Sequence, residues 1–206
     1  CYTAPMASTQ TETKADRAAQ ILTATETLLV EKGASALSAS AIAKEAGVNK
    51  ALVFYYWGSL PQLVEAAIEG YYARHKAALA EALEDATDLT RFVDVYFDFM
   101  CEHQGFARVV QEQVASRGPY TELVAGHLKA LLGWTEERLG ALLPSEGPLA
   151  ARHFQLSFSA AVINYFTYAP IFGQAWGVDP MSKEALEERR AHLHWIVDAW
   201  LRSLGE

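Results

Sequence analysis

Residues 38–63 read SASAIAKEAGVNKALVFYYWGSLPQL, and this stretch decides the fold. Its first serine and Asn49 each stand just before a short helical pattern, and both residue types are preferred at helix N-caps. Gly47 lies between the two patterns and favours a tight turn. The spacing predicts one helix over residues 39–46 and another over residues 50–56, which together form a helix-turn-helix.

The second of these helices has side chains that suit DNA. In a helix-turn-helix the second helix enters the major groove and the first crosses the phosphate backbone. The free amides at a helix start suit a phosphate oxygen, a lysine suits a phosphate or a guanine edge, and small apolar side chains suit a thymine methyl group. Two tyrosines one turn further on offer hydroxyl groups to a base or a phosphate. The candidate DNA-binding residues are Ser38, Asn49, Lys50, Ala51, Leu52, Tyr55 and Tyr56.

The aromatic run in this stretch also has a second interpretation. Phe54 and Trp57 are expected to pack inward, against the first and fourth helices. In an arbitrary all-α protein, a helical corner rich in aromatic residues is more often plain core than a DNA-reading element. The residues by themselves leave this alternative open.

A family resemblance bears on that choice. Residues 38–68 resemble the DNA-binding domain of the TetR family of transcriptional regulators, and the resemblance extends over residues 16–72, roughly a third of the chain. It implies a three-helix DNA-binding domain followed by a larger helical domain. The residues that carry the match are Leu37-Ser38, Ile42-Ala43, Ala46-Gly47-Val48, Asn49-Lys50, Phe54, Tyr56-Trp57 and Leu63.

Two positions depart from the family pattern. The family often has a lysine before the serine that ends the motif, where this chain has Gly58, and usually has another lysine after that serine, where this chain has Leu60. Each of those lysines implies a phosphate contact. We therefore expect this chain to bind DNA with fewer ion pairs, lower affinity at every sequence and a weaker dependence on salt.

Helical periodicity continues along the rest of the chain, and we find no strand pattern. The sequence predicts an all-α protein of eight or nine helices. A disordered tail over residues 1–13 precedes an N-terminal helix-turn-helix DNA-binding domain over residues 14–60. A fourth helix, residues 61–83, connects it to a larger helical ligand-binding and dimerisation domain, residues 61–206.

The C-terminal third predicts a dimer interface. Residues 149–168 are expected to form a long apolar helix, residues 169–182 a loop rich in Gly and Pro, and Ser182 the cap of a last helix that carries Trp195 and Trp200. One short reading helix supplies few base contacts, so specificity usually needs two copies on a palindromic site. The resemblance implies a homodimer through the last two helices. The alternative is that these residues fill the core of the monomer.

The middle helices carry an aromatic stripe that suits a small-molecule pocket, because such pockets have apolar walls and a few polar groups. Asn164 interrupts an apolar helix, and a buried amide without a partner costs about 1–3 kcal/mol. A backbone partner or a ligand would supply the missing bond. An aromatic stripe at helical spacing is more often core than pocket. The candidate ligand-binding residues are Phe92, Tyr96, Phe99, Met100, Trp134, Phe158, Asn164, Tyr165 and Tyr168.

The composition narrows the class of protein. The net charge is −8, but the first 60 residues carry equal numbers of acidic and basic side chains, so the N-terminal part repels an anionic partner least. No apolar run approaches the roughly 18 residues of a membrane span, and we expect no membrane partner. The two cysteines, Cys1 and Cys101, fit a reducing cytoplasm and predict no disulfide.

Catalysis and metal binding find no support in the sequence. His192 and His194 are two residues apart, as are Cys101 and His103, so on a helix the side chains of each pair diverge. No sequence motif of a hydrolase, metalloprotease or nucleotide-binding protein is present. We expect no enzyme activity, no metal and no cofactor.

The sequence therefore predicts a ligand-responsive, sequence-specific DNA-binding regulator, most simply a repressor released by a small apolar or aromatic molecule. The resemblance implies the mechanism, in which a ligand tilts the fourth helix and moves the two reading helices out of register. An all-α carrier or enzyme with an incidental helix-turn-helix is the main alternative. A helical adaptor that binds proteins through its tryptophans is a third.

Overall fold

The computed structural model describes residues 13–82, 89–140 and 142–204. Within these ranges the chain forms nine α-helices and one short 3-10 helix, with no strand, which confirms the predicted all-α class. The described helices divide between two compact units, the first ending at Ala67 and the second beginning at Ile68. The helices are α1 (Lys14–Lys32), α2 (Ala39–Glu45), α3 (Lys50–Trp57), α4 (Leu60–Ala82), α5 (Leu89–Glu102), α6 (Gln104–Ser116), α7 (Thr121–Leu139), α8 (Ala151–Trp176) and α9 (Lys183–Ser203), and the 3-10 helix is Ala34–Ala36.

Helix α1 begins with a reciprocal cap. The Thr13 hydroxyl accepts a hydrogen bond from the Asp16 amide at 3.2 Å, and the Asp16 carboxylate accepts one from the Thr13 amide at 2.9 Å. The backbone bond from Thr13, with the side-chain bond beside it, lowers the pKa of Asp16. Thr13, the last residue of the predicted tail, thus belongs to the start of α1. Most of that tail, residues 1–12, lies outside the described residues.

The first unit is held by apolar side chains that α1, α2, α3 and the start of α4 turn inward. α1 presents them at a 3.6-residue period, which gives one buried face. α2 and α3 are too short to be stable in isolation, so their stability comes from this packing. The fully buried residues of the unit include Ile21, Leu29, Ile42, Val53 and Leu63.

The second unit is built around α8, which contacts α5, α6, α7 and α9. Its core is rich in aromatic rings in tilted and edge-to-face pairs, the geometry that ring quadrupoles favour. The rings of Phe92 and Tyr96 on α5 lie 5.2 and 5.4 Å from the ring of Phe158 on α8. Phe97, completely buried, lies 5.5 Å from Phe166.

The predicted loop over residues 169–182 is wrong in its first half, because α8 continues through Pro170 to Trp176. A proline inside a helix loses a hydrogen bond and costs about 3 kcal/mol. Packing on both sides of the proline offsets this cost. Ala169 is buried, and the ring of Phe172 stacks on that of Trp176 at 4.4 Å.

Helix α9 begins at its predicted cap, Ser182, and is joined to α5 by a charged cluster. Arg190 bonds to Asp94 at 3.0 Å and also to Asp98, and His194 Nε2 lies 2.9 Å from the Asp94 carboxylate. Burial alone would raise the pKa of Asp94, but the hydrogen bonds from His194 and Arg190 outweigh it and lower that pKa. The cluster therefore favours the ionised carboxylate. Within the described ranges, no helix has the length and apolar character needed to cross a bilayer.

Candidate nucleic-acid interface and ligand cavity

Helices α2 and α3 each begin at a side-chain N-cap, and a glycine C-cap forms the turn between them. Ser38 Oγ accepts from the Ala41 amide at 3.2 Å, and Asn49 Oδ1 accepts from the Leu52 amide at 2.9 Å, so both predicted N-caps are confirmed. Gly47 has a φ of +64° and ends α2. The amide of the residue after Gly47 reaches back to a carbonyl of α2 at 2.9 Å, which completes a Schellman-type C-cap.

One face of α3 is anchored in the first unit. Val53 is 1 % exposed, and Trp57 is half-buried and donates from Nε1 to the Ala18 carbonyl of α1 at 3.2 Å. The inward packing predicted for Phe54 is wrong, because this side chain is 41 % exposed. Val53 and Trp57 are four residues apart and share a face, whereas Phe54 is rotated about 100° away from it.

The opposite face of α3 is open and carries a cation and aromatic rings. Tyr55 is 67 % exposed, and its ring lies 5.3 Å from Lys14 Nζ of α1. Lys50 Nζ lies 5.9 Å from the ring of Phe54. Lys14 and Phe54 were absent from the predicted DNA-binding set, although both border its residues. Of that set, Ser38, Asn49, Lys50, Ala51 and Tyr55 are exposed, and Leu52 and Tyr56 are half-buried.

The junction between α3 and α4 explains one departure from the family pattern. Gly58 has φ +71° and ψ −66°, and the Ser59 amide donates to the Trp57 carbonyl at 2.7 Å, which makes a γ-turn. A Cβ atom at position 58 would lie 2.6 Å from Gln62 Oε1. After this turn, Ser59 Oγ donates to Gln62 Oε1 at 2.9 Å and accepts from the Gln62 amide at 3.4 Å.

Most of the predicted ligand-binding residues lie in the packed core of the second unit. Phe92, Tyr96, Phe99, Met100, Phe158 and Tyr165 are buried. The Tyr165 hydroxyl donates to the Pro180 carbonyl at 2.6 Å. The rings of Phe92, Tyr96 and Phe158 lie 5.2–5.9 Å from one another, whereas the ring contacts of Tyr165 are with Phe166 and Phe172.

The remaining three candidates lie elsewhere. Asn164 is exposed, and its Oδ1 accepts from Gln111 Nε2 at 3.0 Å, so its partner is a side chain of α6. Tyr168 is 46 % exposed. Trp134 is half-buried and lines a separate cavity. The buried face of α8 passes through residues such as Phe158 and Val162, and Asn164 falls off that period.

That cavity has a volume of about 340 Å³ and lies between α4 and α7, within the second unit. Its walls are apolar and aromatic, with two histidines among them and one acidic and one basic side chain. The lining residues are Glu69, Tyr72, Ala73, His75, Lys76, Leu79, His127, Leu128, Ala130, Leu131 and Trp134.

The two histidines of the cavity are packed against other rings. His75 is 6 % exposed, and its ring lies 4.7 Å from that of Tyr96 and 4.8 Å from that of Phe99. His127 stacks on Tyr72 at 4.2 Å. Among the described residues, the Nε2 atoms of both histidines are buried and have no hydrogen-bond partner.

Burial lowers the pKa of both imidazoles and so favours their uncharged form. It lowers the pKa of His75 to about 4, with a smaller contribution from the nearby His103. It also lowers the pKa of His127, against the opposing influence of Glu69. Two neutral imidazoles with an unused Nε2 atom therefore border one apolar cavity.

The other histidines and the cysteine of the described chain are spread apart. His103 Nδ1 lies 2.9 Å from the Phe99 carbonyl, and burial raises the pKa of the Cys101 thiol to about 11. His194 faces Asp94, whereas His192 stacks on Trp195. Within the described ranges, no three His, Cys, Asp or Glu side chains are grouped to hold a metal ion. Cys1 lies outside those ranges.

Comparison with known proteins agrees with the geometry. Residues 21–67 match the family of bacterial regulatory proteins, tetR family. This segment contains α2, α3, the buried residues of α1 and the first turns of α4. No curated relative matches the chain.

Solved structures share the fold over most of the chain. A TetR-family transcriptional regulator from Rhodococcus sp. has a TM-score of 0.67 at 17% identity and covers 91% of this chain and 99% of its own. A TerR/AcrR-family regulator from Aquifex aeolicus VF5 has a TM-score of 0.67 at 13% identity, with 89% and 98% covered. The fatty acid degradation regulator FadR from Bacillus halodurans has a TM-score of 0.59 at 18% identity, with 88% and 96% covered.

The matched segment spans the helix-turn-helix, and the similar structures share the fold of the helices that follow it. Residues 21–67 therefore match the tetR family of bacterial regulatory proteins, and the described helices share the fold of TetR-family regulators of known structure.

Proposed function

We propose that this protein is a sequence-specific DNA-binding repressor that acts as a homodimer and is released by a small molecule. The carrying observation is the two-sided character of α3. Val53 and Trp57 fasten one side to the protein, and Lys50, Ala51 and Tyr55 leave the other side exposed. A short rigid helix with one open side is what major-groove reading requires.

The residues on the open side of α3 fall into two groups, one that would position the helix on the phosphate backbone and one that would contact base edges. The start of α3 and Lys50 suit the phosphate backbone, which sets register without carrying sequence information. Ala51 and Tyr55 suit base edges. Lys14 and Phe54, which border Tyr55 and Lys50, extend the same surface.

A homodimer gives this short reading helix a second copy. Two reading helices bind half-sites about 34 Å apart on a palindromic operator. Large apolar side chains remain exposed on the last two helices, among them Leu156 at 69 % and Trp195 at 61 %. Exposed apolar side chains that cluster on one face favour a protein interface.

The cavity between α4 and α7 supports an effector response. α4 is one continuous helix that supplies Leu63 to the first unit and Tyr72 and His75 to the second. A ligand shifts the equilibrium between DNA-binding and released states only by its differential affinity for the two. We place that ligand in this cavity.

Selection of bound fragments from the source genome tests the function. The expected result is enrichment of a palindromic site, with two-fold symmetric protection when the purified protein is footprinted on it. Protection of no genomic fragment would contradict the proposal and favour the all-α carrier or enzyme. A monomer in light scattering at micromolar concentration would contradict the homodimer and favour the adaptor.

The substitution Lys50→Ala is expected to weaken binding to the selected operator and to lower the salt slope of log K by about 0.9, because one phosphate contact is lost. Gel-shift titrations between 50 and 200 mM salt, concentrations at which such slopes are commonly compared, measure it. Lys129→Ala on α7 removes the same charge and is the matched control. Tyr55→Ala should reduce preference among sequences and keep the slope, whereas an unchanged slope in Lys50→Ala would show that Lys50 does not contact phosphate.

Replacing Trp195 with Glu is expected to raise the dimer dissociation constant at least about tenfold, since large aromatic residues dominate interfaces and a buried carboxylate opposes association. Sedimentation equilibrium measures the constant. Val114→Glu introduces the same carboxylate at a 51 % exposed valine on α6 and serves as control. Equal effects of the two substitutions would place the interface away from α9.

A further inference from the structure

We propose that Phe54 determines part of the sequence specificity by packing against the C5-methyl group of a thymine in the major groove. The inference rests on the DNA binding of the proposed function and adds to it the base chemistry of the operator. The features that carry it are the exposure of the Phe54 ring and its place beside Lys50 on the open side of α3.

Phe54 is a large apolar side chain that α3 leaves open to solvent. It is 41 % exposed, whereas Val53, the residue before it, is 1 % exposed. Lys50 and Phe54 are four residues apart and share a face of the helix, and Lys50 Nζ lies 5.9 Å from the ring. A single exposed phenylalanine is common in soluble proteins. This one adjoins a cation that suits phosphate, so the ring and the cation approach DNA together.

The chemistry of a phenyl ring restricts what it recognises in the major groove. The ring has no hydrogen-bond donor or acceptor for the polar atoms of base edges. Adenine, guanine and cytosine present nitrogen and oxygen atoms there, whereas thymine presents one oxygen and an apolar methyl group. A phenyl ring therefore favours thymine. It disfavours cytosine at the same place, because the cytosine amino group loses water and gains no partner.

The neighbouring side chains supply other kinds of contact. Lys50 contributes a charge, and Tyr55 contributes a hydroxyl group that suits a polar atom of a base or a phosphate. Ala51 is exposed and apolar, so it is the competing candidate for a thymine methyl group. Its side chain ends at Cβ and reaches only a base that the helix backbone approaches closely. The Phe54 ring extends further from the helix, so the two side chains contact different methyl groups.

The experiment removes the methyl group from the DNA and leaves the rest of the base unchanged. Each thymine of the selected operator is replaced by deoxyuridine, one position at a time and symmetrically in both half-sites. Gel-shift titration with the full chain measures the affinity. For the wild type we expect a position at which the replacement weakens binding about fifteenfold, or about fourfold for each half-site, the effect of burying one methyl group.

Variants assign that position to Phe54. Phe54→Ala should bind the original operator and the deoxyuridine operator equally, since the methyl group then has no ring to contact. Phe54→Leu keeps an apolar side chain and should retain most of the preference. Val114→Ala truncates a 51 % exposed side chain on α6 and should leave the preference unchanged. Circular dichroism confirms that each variant is folded.

The outcomes separate this inference from the proposed function. A deoxyuridine effect that persists in Phe54→Ala would overturn the inference, because another side chain, such as Ala51, then contacts the methyl group. A selected half-site without thymine, or equal binding of every deoxyuridine operator by the wild type, would overturn it as well. In each of these cases the protein still binds its operator, so the proposed function stands. Failure to bind any DNA would contradict the proposed function and this inference with it.

Discussion

Replacing Val53 with Asp is expected to abolish operator binding, with a loss of affinity above about 100-fold. Val53 is 1 % exposed and holds α3 to the first unit. A carboxylate there is buried without a partner and costs several kcal/mol, which exceeds the roughly 2.7 kcal/mol that a hundredfold change requires. The exposed side chains of α3 are unchanged in this variant, but the packing that holds the helix to the first unit is lost.

Thr23→Asp is the matched control for this variant. It adds the same charge to the same unit at an exposed position of α1, and we expect at most a few-fold change in affinity. Gel-shift titration measures affinity, and circular dichroism reports the loss of helix. Normal operator binding by Val53→Asp would show that α3 does not depend on this anchor.

Replacing Phe97 with Ala is expected to lower the free energy of unfolding of the second unit by about 3–5 kcal/mol, the usual cost of truncating a buried phenylalanine. Phe97 is completely buried. Its ring lies 5.5 Å from that of Phe166 and 5.0 Å from the guanidinium carbon of Arg190. Truncation therefore leaves a cavity between α5 and α8 and removes a contact of the charged cluster.

Urea unfolding followed by circular dichroism measures the change. Phe54→Ala makes the same substitution at a phenylalanine that is 41 % exposed, and we expect a destabilisation of less than about 0.5 kcal/mol, as for most surface positions. Similar midpoints for Phe97→Ala and wild type would mean that the site collapses around the smaller side chain.

The sequence predicts the helix-turn-helix well because its signals are local. Ser38 and Asn49 form the expected caps, and Gly47 ends α2 with a positive φ. Each of these features depends on a few consecutive residues. The inward orientation predicted for Phe54 is wrong because residue type alone does not determine which side of a helix faces the core. The helical period counted from Val53 would have placed Phe54 outward.

The length of α8 and the cavity both depend on packing contacts that local sequence patterns do not predict. Pro170 ordinarily marks a helix end, but buried Ala169 and the Phe172–Trp176 stack support α8 beyond it. The cavity forms where α4 and α7 face each other, so no single helix reveals it.

A signal for the cavity was present nonetheless. His75 lies four residues after Tyr71 and four before Leu79, and all three are buried. A histidine on such a stripe marks a polar group in an apolar wall. The residues of α7 determine whether that wall faces a cavity or packed core. The hydrophobic period of α4 carries no information about them.

The turn at Gly58 limits how this protein is made to bind DNA more tightly. Restoring the family's lysine there adds a positive charge, but it forces a side chain into a backbone conformation that only glycine adopts without strain and pushes against Gln62. Position 60 imposes no such constraint, since Leu60 starts α4 and is half-buried. Leu60→Lys is therefore the first substitution to make when tighter DNA binding is sought.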